Sequence, residues 1–234
     1  QPSLTGSRVV IRLNRFVMEK LDITSHTGNT IGYTTDYSDP DPGWGFFITN
    51  HASTLDTYGD WHWDSGTGKL KVFFGGAGTS NVLASIGDQV LTADTQTYIT
   101  CSNLDFRYAN YSLIELQDTD HFTFDSCNFQ FGGTFAIICG ATFNKHLTIT
   151  NNTFSYINSD GIKMYGADNT GLIIQTNTFT NMGIFAGEGG VNEYRAISLE
   201  GSASTGADIS YNTITNVGYV GINGGATNCI IKNN

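Results

Sequence analysis

The chain has 234 residues, with 11 Lys and Arg against 21 Asp and Glu, so its net charge is −10. So few scattered cations exclude a nucleic-acid partner, which needs a basic stripe to hold phosphates, and no apolar run approaches the ~18 residues of a membrane span. Charged residues make up only 14% and 28 Gly stand against 3 Pro; the polar surface must come from Asn, Thr and Ser, and the turns from Gly and Asn, which tolerate positive φ.

The chain opens on Gln1-Pro2 without a leader, as expected of a processed protein or of a piece of a longer one. Residues 1–23, centred on Arg8 to Asp22, read as an early solenoid coil. Residues 24–80 leave the repeat described below and are crowded with aromatics, among them Tyr33, Tyr37, Trp44, Phe46, Phe47, Tyr58, Trp61, Trp63, Phe73 and Phe74. Trp61 to Asp64, the Ser65-Gly66-Thr67-Gly68 turn and Lys69 to Phe74 read as a β-hairpin. The expectation is a small β subdomain inserted between early coils, with the aromatics as its core in preference to a sugar-stacking platform. Asp36, Asp39, Asp41, Asp56, Asp60 and Asp64 also gather here. They make calcium a candidate ligand, although Asp39-Pro40-Asp41 lacks the EF-hand spacing and a solvated acidic loop is the simpler account.

From 81 to 234 the chain repeats. Leu104, Phe129, Phe154 and Phe179 are spaced by 25 residues, and Ile214 follows 35 further on. Asn152-Thr153-Phe154, Asn177-Thr178-Phe179 and Asn212-Thr213-Ile214 share one pattern, and Ile137, Ile162, Ile197 and Ile222 recur at the same intervals. Short strands alternating apolar with polar and punctuated by Gly and Asn, without helical periodicity, define an all-β, right-handed parallel β-helix with coils of about 25 residues. Stacking predicts an Asn ladder at Asn152, Asn177 and Asn212, continued by Cys127 and Ser102, and an inward Cys139 between Ile114 and Met164. The four cysteines lack zinc-ligand spacing and read as buried free thiols. Cys229 to Asn234 reads as a strand entering a turn, the expectation being a fragment of a larger chain with further domains.

The 35-residue interval holds an insertion of about ten residues within 183–195, and long loops on a rigid solenoid commonly carry function. The outward columns beside it are Leu113, Ile138, Lys163, Ser198, Asn223 and Glu115, Gly140, Tyr165, Glu200, Gly225, with Asp160 beside Arg195. Strand spacing of ~4.8 Å therefore gathers Asp160, Lys163, Tyr165, Arg195, Ser198, Glu200 and Asn223 into one patch, overhung by Glu188, Glu193 and Tyr194. His121 and His146, 25 residues apart, should stack on adjacent coils.

The Asn-x-Phe coils and the Gly161-Ile162-Lys163-Met164 and Ala196-Ile197-Ser198-Leu199 strands resemble the right-handed parallel β-helix repeat proteins of the pectate-lyase-like superfamily. Gly45 to His51, Leu55-Asp56 and Trp61 to Phe74 are similar to an N-terminal insertion in large secreted bacterial β-helix proteins. The resemblance covers nearly the whole chain. It implies a secreted or cell-surface protein with a polysaccharide or glycan partner, and the superfamily spans lyases, hydrolases, epimerases, depolymerases and non-catalytic surface proteins. Two chemistries fit the patch. In a lyase, Lys163 or Tyr165 with a suitably lowered pKa serves as base and Arg195 holds a uronate carboxylate, with calcium as a candidate helper. In a hydrolase, Glu200 pairs with Glu188, Glu193 or Asp160, and Tyr194, Glu188, Glu193 and Asn223 contact substrate. The alternatives are a carbohydrate-binding or adhesive module and a structural stalk, for which Asp160–Arg195 is a plain ion pair.

Overall fold

The computed structural model describes residues 2–14, 17–37, 40–78, 82–190, 193–200 and 204–234. Two compact units result, Gln1–Leu83 and Ala84–Asn234.

In the first unit Arg8–Arg12 is the central strand of a three-stranded sheet, antiparallel to both Met18–Asp22 and Phe46–Thr49. The expected early coil is therefore not formed. The link 13–17 is closed by Leu13 N–H on the Val17 carbonyl at 3.0 Å and Val17 N–H on Asn14 Oδ1 at 3.1 Å. A parallel return would need a crossover of a dozen or more residues. The predicted hairpin is present, with Trp61 opposite Val72 and Asp64 opposite Lys69. The core, however, is aliphatic: Val9, Val10, Ile11, Leu13, Val17 and Ile23 are buried, whereas Phe46, Phe47, Tyr58, Trp61 and Trp63 are exposed. Trp61 and Trp63 sit on the same face because strand side chains alternate, and that face of the hairpin lies outside the aliphatic core. Asp60 and Asp64 cap local turns, accepting from Thr57 N–H and from Gly66 and Thr67 N–H respectively. Asp39 lies outside the described residues.

The second unit is a parallel solenoid of three sheets. Sheet I stacks Gln89–Asp94, Ser112–Asp120, Phe135–Lys145, Ile162–Met164, Arg195–Leu199 and Val220–Gly224. Sheet II stacks six short strands from Thr100–Ser102 to Ile230–Lys232, and sheet III five strands from Asp105–Ala109 to Thr213–Val217. The chain runs through the three sheets in turn, so a parallel neighbour lies one coil away and the inward apolar side chains stack on those of the next coil. Phe106, Phe129, Phe154 and Phe179 form a file of parallel rings at 5.1, 4.7 and 4.5 Å. The Asn ladder runs as expected from Cys127 onward, but Ser102 pairs with Asp125 and does not continue the column below Cys127, because the first interval is 23 residues. Asn152 Nδ2 donates to Asn177 Oδ1, Asn177 Nδ2 to Asn212 Oδ1 and Asn212 Nδ2 to Asn234 Oδ1, at 3.0, 3.0 and 2.8 Å, and Cys127 N–H donates to Asn152 Oδ1 at 2.8 Å. Cys101, Cys127 and Cys139 are buried free thiols, while Cys229 is only partly covered.

The first coil interval differs from the expected 25. Phe106 pairs with Phe129, Leu116 with Cys139, Glu115 with Ile138 and Gln117 with Gly140. Leu104, Ile114, Leu113 and Glu115 therefore do not hold the levels assigned to them. Two extra residues enter the next coil where the register shifts between Gln117 and Thr119. Asp118 Oδ1 stitches this bulge by accepting from Thr142 and Phe143 N–H at 2.8 and 3.0 Å.

Corners are made by single residues in the left-handed region, in vertical columns. One column is Tyr98, His121, His146, Gly171, Gly206 and Asn228, with φ between 49° and 70°. Another is Tyr108, Phe131, Tyr156, Asn181 and Asn216. A right-angled bend from strand to strand needs this conformation, and side chains other than Gly and Asn adopt it because the coils on either side hold the backbone in place.

Candidate functional site

The ten-residue insertion lies where expected, between Met182 and Arg195, the residues that pair with Ile157 and Val220 on adjoining coils. Val191 and Asn192 lie outside the described residues. The rest of the loop is gathered around the Tyr194 hydroxyl, which accepts from Gly187 and Gly189 N–H at 3.1 Å and donates to the Gly189 carbonyl at 3.0 Å. Glu193 Oε2 accepts from Gly190 N–H at 2.6 Å and from Ser159 Oγ at 2.8 Å, which ties the loop to the preceding coil.

Strand alternation on sheet I turns Ile162 and Met164 inward and Lys163 outward. Lys163 Nζ donates to Glu193 Oε1 at 2.6 Å, stands 3.7 Å from Glu200 Oε2 and lies over the Phe135 ring at 5.1 Å. Arg195 Nη2 pairs with Glu200 Oε1 at 2.7 Å, and its Nη1 donates to Ser198 Oγ at 2.7 Å. Asp160 Oδ1 accepts the Arg195 backbone N–H at 2.8 Å, while its Oδ2 lies 3.6 Å from Arg195 Nε without a hydrogen bond. Sequence spacing thus brought together Asp160, Lys163, Glu193, Tyr194, Arg195, Ser198 and Glu200. Asn223 pairs in register with Ser198, and Glu188 stays on the exposed part of the loop.

The environment changes what these groups can do. Burial penalises the Lys163 ammonium, but the hydrogen bond and charge of Glu193, then Glu200 and Asp160, outweigh it and raise the pKa. A lysine so held is a poor base, so the expectation of a lowered pKa is corrected. The Arg195 side chain is only 5% exposed, with Nη2 on Glu200, Nη1 on Ser198 and Nε facing Asp160, which withdraws it from a substrate carboxylate in solvent. Asp160 has no exposed surface, and burial pushes its carboxyl up to about 6 against the opposing pull of Arg195. Glu193 and Glu200 are already turned onto cations, so calcium would have to displace Lys163 or Arg195 to gain their oxygens as ligands.

Tyr165 differs from these residues. It is 48% exposed, and its ring covers Gly140 on the neighbouring coil so closely that a Cβ there would meet the hydroxyl at 2.3 Å and Cζ at 2.5 Å. Gly140 is thus the floor beneath a surface-lying aromatic ring. Around it stand Tyr111, edge-on to Phe135 at 5.4 Å, and Glu115, which accepts from Gln89 and Gln117 at 2.9 and 2.7 Å. Burial raises the Tyr111 phenol, with lesser contributions from Tyr165 and Glu115. Tyr111 and the true level of Glu115 escaped the sequence because the first coil is shorter than the others.

Coils, corners and interior ladders define a parallel β-solenoid. The family model "Right handed beta helix region" matches residues 88–234, and the chain belongs to that family, consistent with the pectate-lyase-like superfamily. No curated protein and no solved structure matches the chain.

Proposed function

We propose that this protein binds an extracellular polysaccharide along the outer face of sheet I, with Tyr165 as the stacking platform, and does not cleave it with the patch residues. The supporting observation is the Tyr165 ring lying over Gly140, half open to solvent and flanked by the Tyr111 hydroxyl and the Glu115–Gln89–Gln117 amide and carboxylate groups. Sugars present an apolar face and a rim of hydroxyls, which an exposed aromatic ring ringed by fixed polar groups complements. The ion network then anchors the loop beside the platform. Hydrolysis is the second reading, favoured by the approach of Glu193 and Glu200 to one ammonium.

A broad glycan panel tests both readings, with bound glycan, reducing ends and the ultraviolet absorbance of unsaturated ends measured together. Binding without product is expected. It should weaken about tenfold or more in Tyr165→Ala, in line with loss of ~1.5 kcal/mol of stacking, and persist in Tyr165→Phe. New reducing ends abolished by Glu200→Gln would replace binding with hydrolysis. Wild-type binding by Tyr165→Ala would refute the platform.

A further inference from the structure

We infer that Asp120, His121 and His146 form a binding site for a divalent transition-metal ion, on the corner between sheets I and II. Asp120 ends a sheet I strand, His121 is the corner residue that follows it, and His146 is the same corner one coil on. Asp120 Oδ1 stands 2.8 Å from Nδ1 of each imidazole, and the three donor atoms lie within 4.8 Å of one another. An ion bonded to all three at ~2.0–2.2 Å fits this spacing with small side-chain rotations.

Three features separate this group from an incidental surface cluster. First, the backbone fixes the donors before any ion arrives: Asp120 N–H bonds the Gln96 carbonyl, His121 N–H the Lys145 carbonyl and His146 N–H the Thr170 carbonyl. The two imidazoles lie 4.5 Å apart and tilted by 33°, with Tyr98 stacked on His121 at 4.6 Å. Second, His121 Nδ1 is shut off from solvent and makes no hydrogen bond, even though the carboxylate oxygen is close. A nitrogen in that position has a lone pair or proton that water does not satisfy. Third, Lys145, which pairs in register with Asp120, is drawn to Asp168 at 2.7 Å, so the Asp120 carboxylate is left to the imidazoles.

Two imidazoles and one carboxylate select zinc, nickel or copper and are a poor set for calcium or magnesium, which take oxygen ligands. Three protein ligands leave at least one coordination position to solvent.

The test is a titration of the full chain, stripped by chelator, with Zn²⁺ alone, followed by calorimetry. One Zn²⁺ per chain is expected, not displaced by Ca²⁺ in about 100-fold excess. His146→Asn and Asp120→Asn should each weaken uptake at least about tenfold, and His121→Asn/His146→Asn should abolish it. Asn is chosen because it accepts the left-handed corner, as Asn228 does in the same column, and an unchanged circular dichroism spectrum checks the fold. Absence of equimolar Zn²⁺ uptake by the wild type, unchanged affinity in the double variant, or displacement by Ca²⁺ would each overturn the assignment.

Discussion

At Asp160 a single carboxyl carries a pH dependence opposite in sign to that of most acidic residues. Its folded pKa is about 6, above the ordinary 3.8, because burial outweighs Arg195. The folded state therefore binds the proton more tightly than the unfolded chain, so this residue's contribution is fully present below pH ~3.8 and is lost as pH rises through ~6. The corresponding magnitude is on the order of 2–3 kcal/mol. Asp160→Asn keeps an acceptor for the Arg195 N–H and removes the charge. Its melting temperature relative to the wild type should rise steadily between pH 4 and 7; a constant difference across that range would contradict this account. Spacing revealed the Asp160–Arg195 neighbourhood, because residues 35 apart share a level. It could not reveal that both side chains are withdrawn from solvent, since burial here depends on how the inserted loop folds back over them.

For elements, the loop 183–194 and sheet I make a sharper contrast. Among its described residues Ile184 and Phe185 are exposed, and the loop is held by the hydroxyl of Tyr194 and the carboxylate of Glu193. Tyr194→Phe removes one hydroxyl that serves two amides and a carbonyl, which should cost about 1–3 kcal/mol. Hydrogen exchange at Gly187 and Gly189 should accelerate while the Ile197 amide stays protected; equal acceleration at both would show that the loop and strand open together. The coil spacing was legible from Phe129 onward because Phe, Asn and Ile recur in register. It failed before that point because Leu104 mimics the pattern two residues ahead of the true partner Phe106, and the bulge at Gln117–Thr119 has no residue signature. In the first unit, the short link after Arg12 is a hairpin signal that the apolar run Val9-Val10-Ile11 obscured.

In the whole molecule, coils are coupled only to their neighbours, so position along the stack should govern the cost of a defect. Phe154 lies between two rings, whereas Phe106 has a single stacked partner and an edge contact with Phe124. Phe154→Ala should cost about 3–5 kcal/mol and Phe106→Ala distinctly less, as read by denaturant midpoints. Equal costs would mean that the stack does not transmit packing from coil to coil. The Asn file adds something the rings do not. Backbone hydrogen bonds between coils alternate in direction, as Thr148 N–H points to the Phe122 carbonyl and Ser126 N–H to that of Thr150, so their dipoles largely cancel, as in other sheets. The side-chain amides of Asn152, Asn177 and Asn212 all point the same way, each carbonyl oxygen accepting from the coil on the Cys127 side and each NH₂ group donating to the next Asn toward Asn234. Each polarises the next. One interior file of amides thus makes the two directions along the axis electrically inequivalent, inside a wall of sheets that is nearly indifferent to direction.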